Sequence, residues 1–276
     1  MFHHKRDTSP FSPFFFHSRL FWKTLGNFAI FRGRGSHGQL VSMHQAGTHY
    51  IKHIIACAIA DKYKIPDPEF NHANDIFGGP KDEVVYQDIP RLISSHSYPH
   101  PLLLSELVHE LFNLPPYVLL VRDLRHSLIS NYAKWSHVYE VPFSSYLRGD
   151  MHSKRFNSDI WWTIGFLNGW GLVYKRIPNK FMILKYEDLL EDPLVQVSRL
   201  NNYWALKLSQ QNIEYGIAQS TKEKMKLKDD PNRPKGAVRN SSSDLSVFNS
   251  TDKKFIEIQI KRLIFSEIVT LKFTSL

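Results

Sequence analysis

Residues 39–55 constrain the fold more than any other stretch of the chain. They begin with the alternating, strand-compatible run 39–43 and continue through a polar turn that contains Gly47 and Thr48. They end with isoleucines at helical spacing. The first amides of a helix have no internal partners and lie at the positive end of its dipole, so a turn of this kind can bind phosphate or sulfate oxygens. The same pattern also occurs as an ordinary strand-to-helix connection, and the rest of the chain must decide between the two.

Further apolar strands alternate with helices along the chain. Residues 117–121 form a continuous apolar run that ends at Arg122, and residues 181–184 form another that leads into Tyr186. Helical patterns separate these runs, at residues 102–113, 125–133, 159–176 and 193–206. Continuous apolar strands joined by helices are typical of a parallel sheet that is covered on both faces. We therefore predict the α/β class, with a mostly parallel central sheet flanked by helices.

The composition changes near residue 38, which predicts two parts. Residues 1–38 form an extension rich in aromatic and basic side chains, and residues 39–276 form a single α/β domain. The aromatic run is too interrupted to span a membrane and lacks the small-residue cleavage site of a signal peptide. A helix packed on the domain is the favoured interpretation of the extension, and peripheral contact with a membrane is the alternative. The sequence indicates no oligomeric state.

Three further stretches predict irregular structure. Residues 65–90 contain many turn residues, residues 139–157 are irregular and basic, and residues 222–250 are polar and basic. A helix over residues 252–265 follows the last of these, so we place it inside the domain as a long cationic loop that can close over an anion. Residues 65–90 are long enough to form one wall of an acceptor pocket.

Charge and cysteine content limit the partners and the compartment. Lysine and arginine exceed aspartate and glutamate by nine, so the protein should attract anions. The cations are dispersed before residue 222, which argues against a nucleic-acid partner. The single cysteine, Cys57, excludes an intrachain disulfide and is compatible with a reducing compartment, so we expect a cytoplasmic protein.

Two short motifs are set aside. Gly33, Gly35 and Gly38 form a G-x-G-x-x-G pattern, but it precedes the strand instead of following it, so it does not predict a dinucleotide site. His49 and His53 are four residues apart on a predicted helix, but no third ligand follows at a suitable spacing. We therefore predict no metal site.

Polar groups follow the predicted strands at the edge where parallel sheets bind ligands. They are the turn of residues 45–48, His96, Arg122 and Tyr186. The set combines an anion cradle, a titratable base, a guanidinium group and a phenol, which together suit an anionic ligand and a proton transfer.

From residue 39 onward the chain resembles the sulfotransferases that use 3′-phosphoadenosine 5′-phosphosulfate (PAPS). Gln45-Ala46-Gly47-Thr48 aligns with the family's Lys-Ser-Gly-Thr loop, and the segment from Pro90 to His96 aligns with its Pro-Arg-x-x-Lys-Thr-His. Three further segments match in order: Arg122 with Ser130, Tyr186-Glu187-Asp188-Leu189, and Arg233 with Lys235-Gly236. The resemblance implies the P-loop-like sulfotransferase architecture.

The resemblance also implies roles for these residues. The cradle of Ala46, Gly47, Thr48 and His49 would hold the phosphosulfate, and Tyr50 and Tyr186 would fix the nucleotide. Arg122, Ser130, Arg233, Lys235 and Gly236 would hold the 3′-phosphate. His96 would take the proton from the acceptor, a hydroxyl or an amine of a glycan, a lipid or a small molecule. The product would be 3′-phosphoadenosine 5′-phosphate (PAP), and no metal would be needed.

Two neutral residues replace lysines of the family pattern. Gln45 stands at the catalytic loop lysine, where it can donate a hydrogen bond but carries no charge, and Ser94 replaces the lysine of the histidine segment. These replacements leave open a second hypothesis, a catalytically silent protein that binds the phosphoadenosine nucleotide or a sulfated ligand. A nucleic-acid binder with stacking aromatics is the third hypothesis.

Overall fold

A five-stranded parallel sheet forms the centre of the molecule. The computed structural model describes residues 12–27, 36–151, 155–232 and 244–262. The strands are β1 (Gly38–Ser42), β2 (Phe77–Gly78), β3 (Leu92–Ser95), β4 (Tyr117–Val121) and β5 (Phe181–Lys185). Their order in the sheet is β2-β3-β1-β4-β5, and every neighbouring pair is parallel. The predicted α/β class with a parallel sheet is confirmed.

The register of the strands brings the predicted site to one edge of the sheet. Val41 pairs with Ser95 of β3, and Ser42 pairs with Leu120 of β4. Because the three central strands end at nearly the same level, the segments that follow them start side by side. Strands β1 and β4 are buried along their whole length, as expected for strands that are covered on both faces.

Eleven α-helices accompany this sheet within the described residues. Their bounds are α1 (Ser12–Asn27), α2 (Thr48–Tyr63), α3 (Glu106–Leu111), α4 (Leu124–Tyr139), α5 (Phe143–Arg148), α6 (Ile160–Arg176), α7 (Tyr186–Glu191), α8 (Pro193–Tyr203), α9 (Gln210–Gln219), α10 (Lys222–Leu227) and α11 (Ser250–Ile260). Helix α2 is almost wholly buried and packs closely on α9, where a Cβ atom at Gly216 would lie 2.3 Å from the carbonyl oxygen of Ile54. The helix that follows the cradle is therefore held rigidly in the core.

The predicted irregular stretches contain more structure than the sequence indicated. Strand β2 lies inside residues 65–90, α5 lies inside residues 139–157, and α10 begins the stretch of residues 222–250. Strand β2 has only two residues, which is too short to show an alternating pattern. Met225 is the one buried residue of α10, so the composition of this helix resembles that of a solvated linker. Helix α9 was not predicted, although Ser209 and Asn212 form a capping box at its start.

Part of the N-terminal extension forms α1, which contacts the α/β domain. The Lys23 Nζ atom lies 5.9 Å from the ring centre of Trp162, and the Phe21 ring centre lies 4.7 Å from that of His100. Thr24 is buried, whereas the Trp22 side chain is 67% exposed. Among the described helices none is both long and apolar enough to cross a membrane.

Candidate active site

The turn between β1 and α2 folds back sharply at two residues. Gln45 and Gly47 both adopt the left-handed conformation, with φ of 60° and 84°. Among the described residues no side chain caps the start of α2, so within this part of the chain the first turn of that helix keeps free amide donors. The predicted cradle is thus present as geometry, with amides directed outward and the positive end of a 16-residue helix behind them.

Glycine is required at position 47 because the Tyr186 ring lies directly on it. A Cβ atom at this position would be 2.3 Å from two carbons of that ring. The other face of the site is formed by Arg122, whose guanidinium carbon lies 4.7 Å from the Tyr186 ring centre. Tyr50 lies nearby, since burial and then Tyr186 raise the pKa of its phenol. Both predicted tyrosines therefore lie near the start of α2.

Arg122 connects the end of β4 to the turn. Its Nη1 atom donates to the carbonyl oxygen of Gln45 at 2.8 Å, which helps to hold that residue in its left-handed conformation. Its Nε atom is buried and has no hydrogen-bond partner in the described part of the chain. A buried donor without a partner is costly, so this N–H is a candidate for binding an anion that enters the site.

His96 lies at the end of β3 and is oriented by Ser42 of β1. The His96 Nδ1 atom is 2.9 Å from the Ser42 carbonyl oxygen and 3.1 Å from the Ser42 Oγ atom. A carbonyl oxygen only accepts hydrogen bonds, so Nδ1 carries the proton and the lone pair lies on Nε2. The Ser42 Oγ atom also lies 2.9 Å from the Thr48 Oγ1 atom, which links the base to the first residue of α2.

The environment of His96 favours its neutral form. Burial lowers the pKa of the imidazole, the Ser42 hydrogen bond opposes this shift, and the charges of Lys52 and Lys134 lower the pKa further. The His44 ring stacks on the His96 ring, with 4.5 Å between the ring centres. The Ser127 Oγ atom of α4 holds His44 in turn by donating to its carbonyl oxygen at 2.6 Å. The imidazole is therefore both fixed in position and able to accept a proton at neutral pH.

The two histidines of α2 lie in separate environments. The His53 Nδ1 atom lies 2.7 Å from the Ser220 Oγ atom, in the interface between α2 and α9. The His49 Nδ1 atom is buried without a hydrogen-bond partner in the described regions. Burial, then Lys52, lowers the pKa of His49 to about 3. His49 is thus an uncharged residue within the cradle.

The structure places most of the predicted site residues around this one turn. They are Gln45, Ala46, Gly47, Thr48, His49, Tyr50, His96, Arg122 and Tyr186. Ser130 is half-buried on α4, one turn after Ser127. Arg233, Lys235 and Gly236 lie outside the described residues. The sequence analysis did not predict that Ser42 orients His96 or that Ser127 holds His44. For Ser42 one signal was available, because it is a polar residue that interrupts the apolar pattern of β1.

The arrangement brings together groups that suit anion binding and proton transfer. Free helix amides, the Arg122 guanidinium group and the Thr48 hydroxyl offer donors to an anion, and the His96 lone pair lies beside them. An anionic group held in the cradle would therefore be within the reach of a nucleophile that His96 deprotonates.

Comparisons with known proteins agree with this description. A family model described as a sulfotransferase domain matches residues 29–254. Among solved structures, the mouse sulfotransferase SULT7A1 complexed with PAP is 13% identical, with a TM-score of 0.54 over 95% of this chain and 91% of that chain. Retinol dehydratase in complex with androsterone and the inactive cofactor PAP is 15% identical, with a TM-score of 0.55 over 94% of this chain and 87% of that chain. A search of curated protein sequences finds no significant match.

Proposed function

The chain belongs to the sulfotransferase family, and on this basis we propose that it transfers the sulfuryl group of PAPS to the hydroxyl group of a small acceptor. In this reaction the acceptor oxygen attacks sulfur, and its proton passes to His96 Nε2. The bond between sulfur and the 5′-phosphate oxygen breaks, and that oxygen leaves with the electron pair as part of PAP. The reaction needs an aligned nucleophile, a base, and positive charge at the leaving phosphate.

The fixed tautomer of His96 is the observation that carries this proposal. The 2.9 Å bond from Nδ1 to the Ser42 carbonyl oxygen leaves Nε2 as the acceptor of the proton. The lowered pKa keeps that nitrogen unprotonated at neutral pH. His96 makes its described hydrogen bonds through Nδ1, which leaves Nε2 without a described partner.

The cradle and Arg122 would bind the nucleotide. The free amides of α2 and the Thr48 hydroxyl would bind the 5′-phosphosulfate, and Arg122 Nε would bind the 3′-phosphate together with Ser130. Tyr50 and Tyr186 would contact the adenosine. Two solved structures with this fold were obtained with PAP bound, which supports the same nucleotide here.

A small apolar alcohol is the acceptor class that we favour. The structure of retinol dehydratase contains androsterone, a steroid alcohol, and shares this fold over 94% of the chain.

A silent nucleotide-binding protein is the second candidate function. Gln45 and Ser94 carry no charge, and the Ser94 Oγ atom lies 3.4 Å from the Gly78 carbonyl oxygen within the sheet. Loss of one donor that stabilises the transition state typically lowers the rate by a factor of about 10²–10³. A protein with these replacements would bind PAP and turn over slowly or not at all unless another cation takes their place.

Turnover and nucleotide affinity together distinguish the two candidates. We would measure PAP released from PAPS with a panel of steroid and aliphatic alcohols, and PAP affinity by calorimetry. In an enzyme, His96→Ala should lower turnover by about 10²–10⁴ while PAP affinity stays within roughly twofold. The exposed residue His137 on α4 provides the matched control His137→Ala, which should leave both quantities unchanged. PAP binding without turnover in the wild type would favour the silent protein.

A further inference from the structure

Lys52 is a buried cation that forms no ion pair with any of the described residues. It lies on α2, its side chain is 7% exposed, and its Nζ atom donates to the neutral Asn74 Oδ1 atom at 2.7 Å. No carboxylate among the described residues lies within ion-pair distance of this Nζ atom. Asp82 is the carboxylate whose charge acts on Lys52, but its Oδ2 atom accepts from the Gly79 amide.

This environment is energetically unfavourable for the free protein. Transfer of an ammonium group into a protein interior is costly unless an opposite charge compensates it. Burial accordingly lowers the pKa of Lys52 to about 8, and Asp82 opposes the shift. The amine still carries its proton for most of the time at pH 7. This positive charge lies on the cradle helix, and its one hydrogen-bond acceptor among the described residues is neutral, which points to a ligand as the counter-ion.

The position of Lys52 on α2 directs it toward the cradle. Thr48 and Lys52 are four residues apart and therefore share one face of the helix. Side chains on a helix lean toward its N-terminus, which here is the end that carries the cradle. Thr48 is linked through Ser42 to His96, so the cation and the base lie on the same side of the turn. The charge of Lys52 acts on both His49 and His96.

Lys52 also reaches the part of the sheet where Ser94 stands. The Lys52 Nζ atom lies 5.6 Å from the ring centre of Phe77, and the Ser94 Oγ atom contacts the carbonyl oxygen of the next residue, Gly78. Both side chains therefore lie over the junction of β2 and β3. The Ser94 side chain is too short to extend from there to the cradle, whereas the Lys52 side chain, which starts from α2, is several ångströms longer.

We propose that Lys52 is the cation that binds the sulfuryl and 5′-phosphate end of the nucleotide, and that it supplies the charge which Gln45 and Ser94 lack. This inference rests on the proposed function. During transfer the S–O bond to the 5′-phosphate breaks, and Lys52 offsets the negative charge that grows on the departing phosphate oxygen. The amine binds this end by exchanging its contact with Asn74 for a charged oxygen.

Two nucleotides that differ only at the 5′ position test this role. PAP carries a 5′-phosphate, and adenosine 3′-phosphate does not. In the full-length protein, Lys52→Met should weaken PAP binding about tenfold to a hundredfold, as expected for a hydrogen bond to a charged group. The affinity for adenosine 3′-phosphate should change less than about twofold. Equal losses for both nucleotides, or no loss for either, would overturn the inference.

Two control variants separate charge from structure. Asn74→Ala removes the Lys52 hydrogen bond but keeps the charge, so it should retain the preference for PAP. Lys62→Met changes a lysine on the same helix that donates to the Leu206 carbonyl oxygen, and it should bind both nucleotides normally. If Asn74→Ala reproduces the loss seen with Lys52→Met, Lys52 acts by fixing the Asn74 loop, and the inference is wrong.

The wild-type protein provides a test that does not depend on a variant folding. PAP affinity should fall as the pH rises from 7 to 9, because Lys52 loses its proton in this range. His49 and His96 are already neutral there, because burial lowers the pKa of both imidazoles. Asp82 is the carboxylate whose charge acts on Lys52. Adenosine 3′-phosphate should bind equally across the range, and a parallel fall for both nucleotides would contradict the role. If the wild type binds neither nucleotide at any pH, the proposed function itself is wrong.

Discussion

Substitution of Gly47 by alanine should destabilise the protein through one specific contact, the Tyr186 ring. The residue has φ of 84°, where an alanine is less favourable than glycine by about 1–2 kcal/mol. The new methyl group would also lie 2.3 Å from two ring carbons, so the ring must shift and its contact with Arg122 must change. Overpacking of this kind typically costs about 1–3 kcal/mol. We expect a total loss of about 2–5 kcal/mol in the free energy of unfolding.

A double-mutant cycle isolates the part that is due to the ring. In a Tyr186→Ala background the methyl group has room, so Gly47→Ala should cost only the backbone part, about 1–2 kcal/mol. The coupling between the two sites should therefore be about 1–3 kcal/mol, measured by urea unfolding of the four proteins. If Gly47→Ala costs the same in both backgrounds, the Tyr186 ring does not lie on the turn, and the described site geometry is wrong.

Two further predictions concern stability. Burial lowers the pKa of His49 to about 3 and that of His53 to about 4, whereas both are 6.5 in an unfolded chain. These two groups therefore stabilise the fold above pH 6.5, and this stabilisation is lost as the pH falls toward 4. The free energy of unfolding should drop by roughly 2–4 kcal/mol between pH 7 and pH 5, and His53→Gln should reduce that drop by about half. A free energy of unfolding that does not change over this pH range would contradict the burial of both rings. Gly216→Ala should lower stability by about 1–3 kcal/mol, because its methyl group would lie 2.3 Å from the Ile54 carbonyl oxygen between α2 and α9. Ala218→Ser, on the exposed face of α9, should change the urea midpoint little, and equal effects of the two substitutions would refute this packing.

The sequence predicted the frame of the site because that frame depends on local patterns. The apolar run of β4 and the turn after β1 are each visible in a few consecutive residues, and parallel strands must end at a common edge. His96 and Arg122 were placed at that edge for the same reason. Strand β2 and helix α10 were not predicted, because a two-residue strand and a six-residue charged helix have no periodic signal.

The interactions that tune the site could not be predicted from the sequence. The tautomer of His96 depends on a carbonyl oxygen 54 residues away, and every residue has a carbonyl. The burial of Lys52 depends on how α2 packs over β2, and its neutral partner Asn74 lies in a stretch without a regular pattern. Contacts of this kind depend on the tertiary structure, so the sequence alone does not reveal them.

The central claim is that this turn binds the phosphoadenosine nucleotide of the sulfotransferases. Calorimetric titration with PAP, on the wild type and on Arg122→Ala, tests it most directly. The wild type should bind, and Arg122→Ala should weaken binding by about tenfold to a hundredfold, because the Nε donor has no partner within the described residues and is free for phosphate. Absence of binding by the wild type, or equal affinity of the two proteins, would contradict the account.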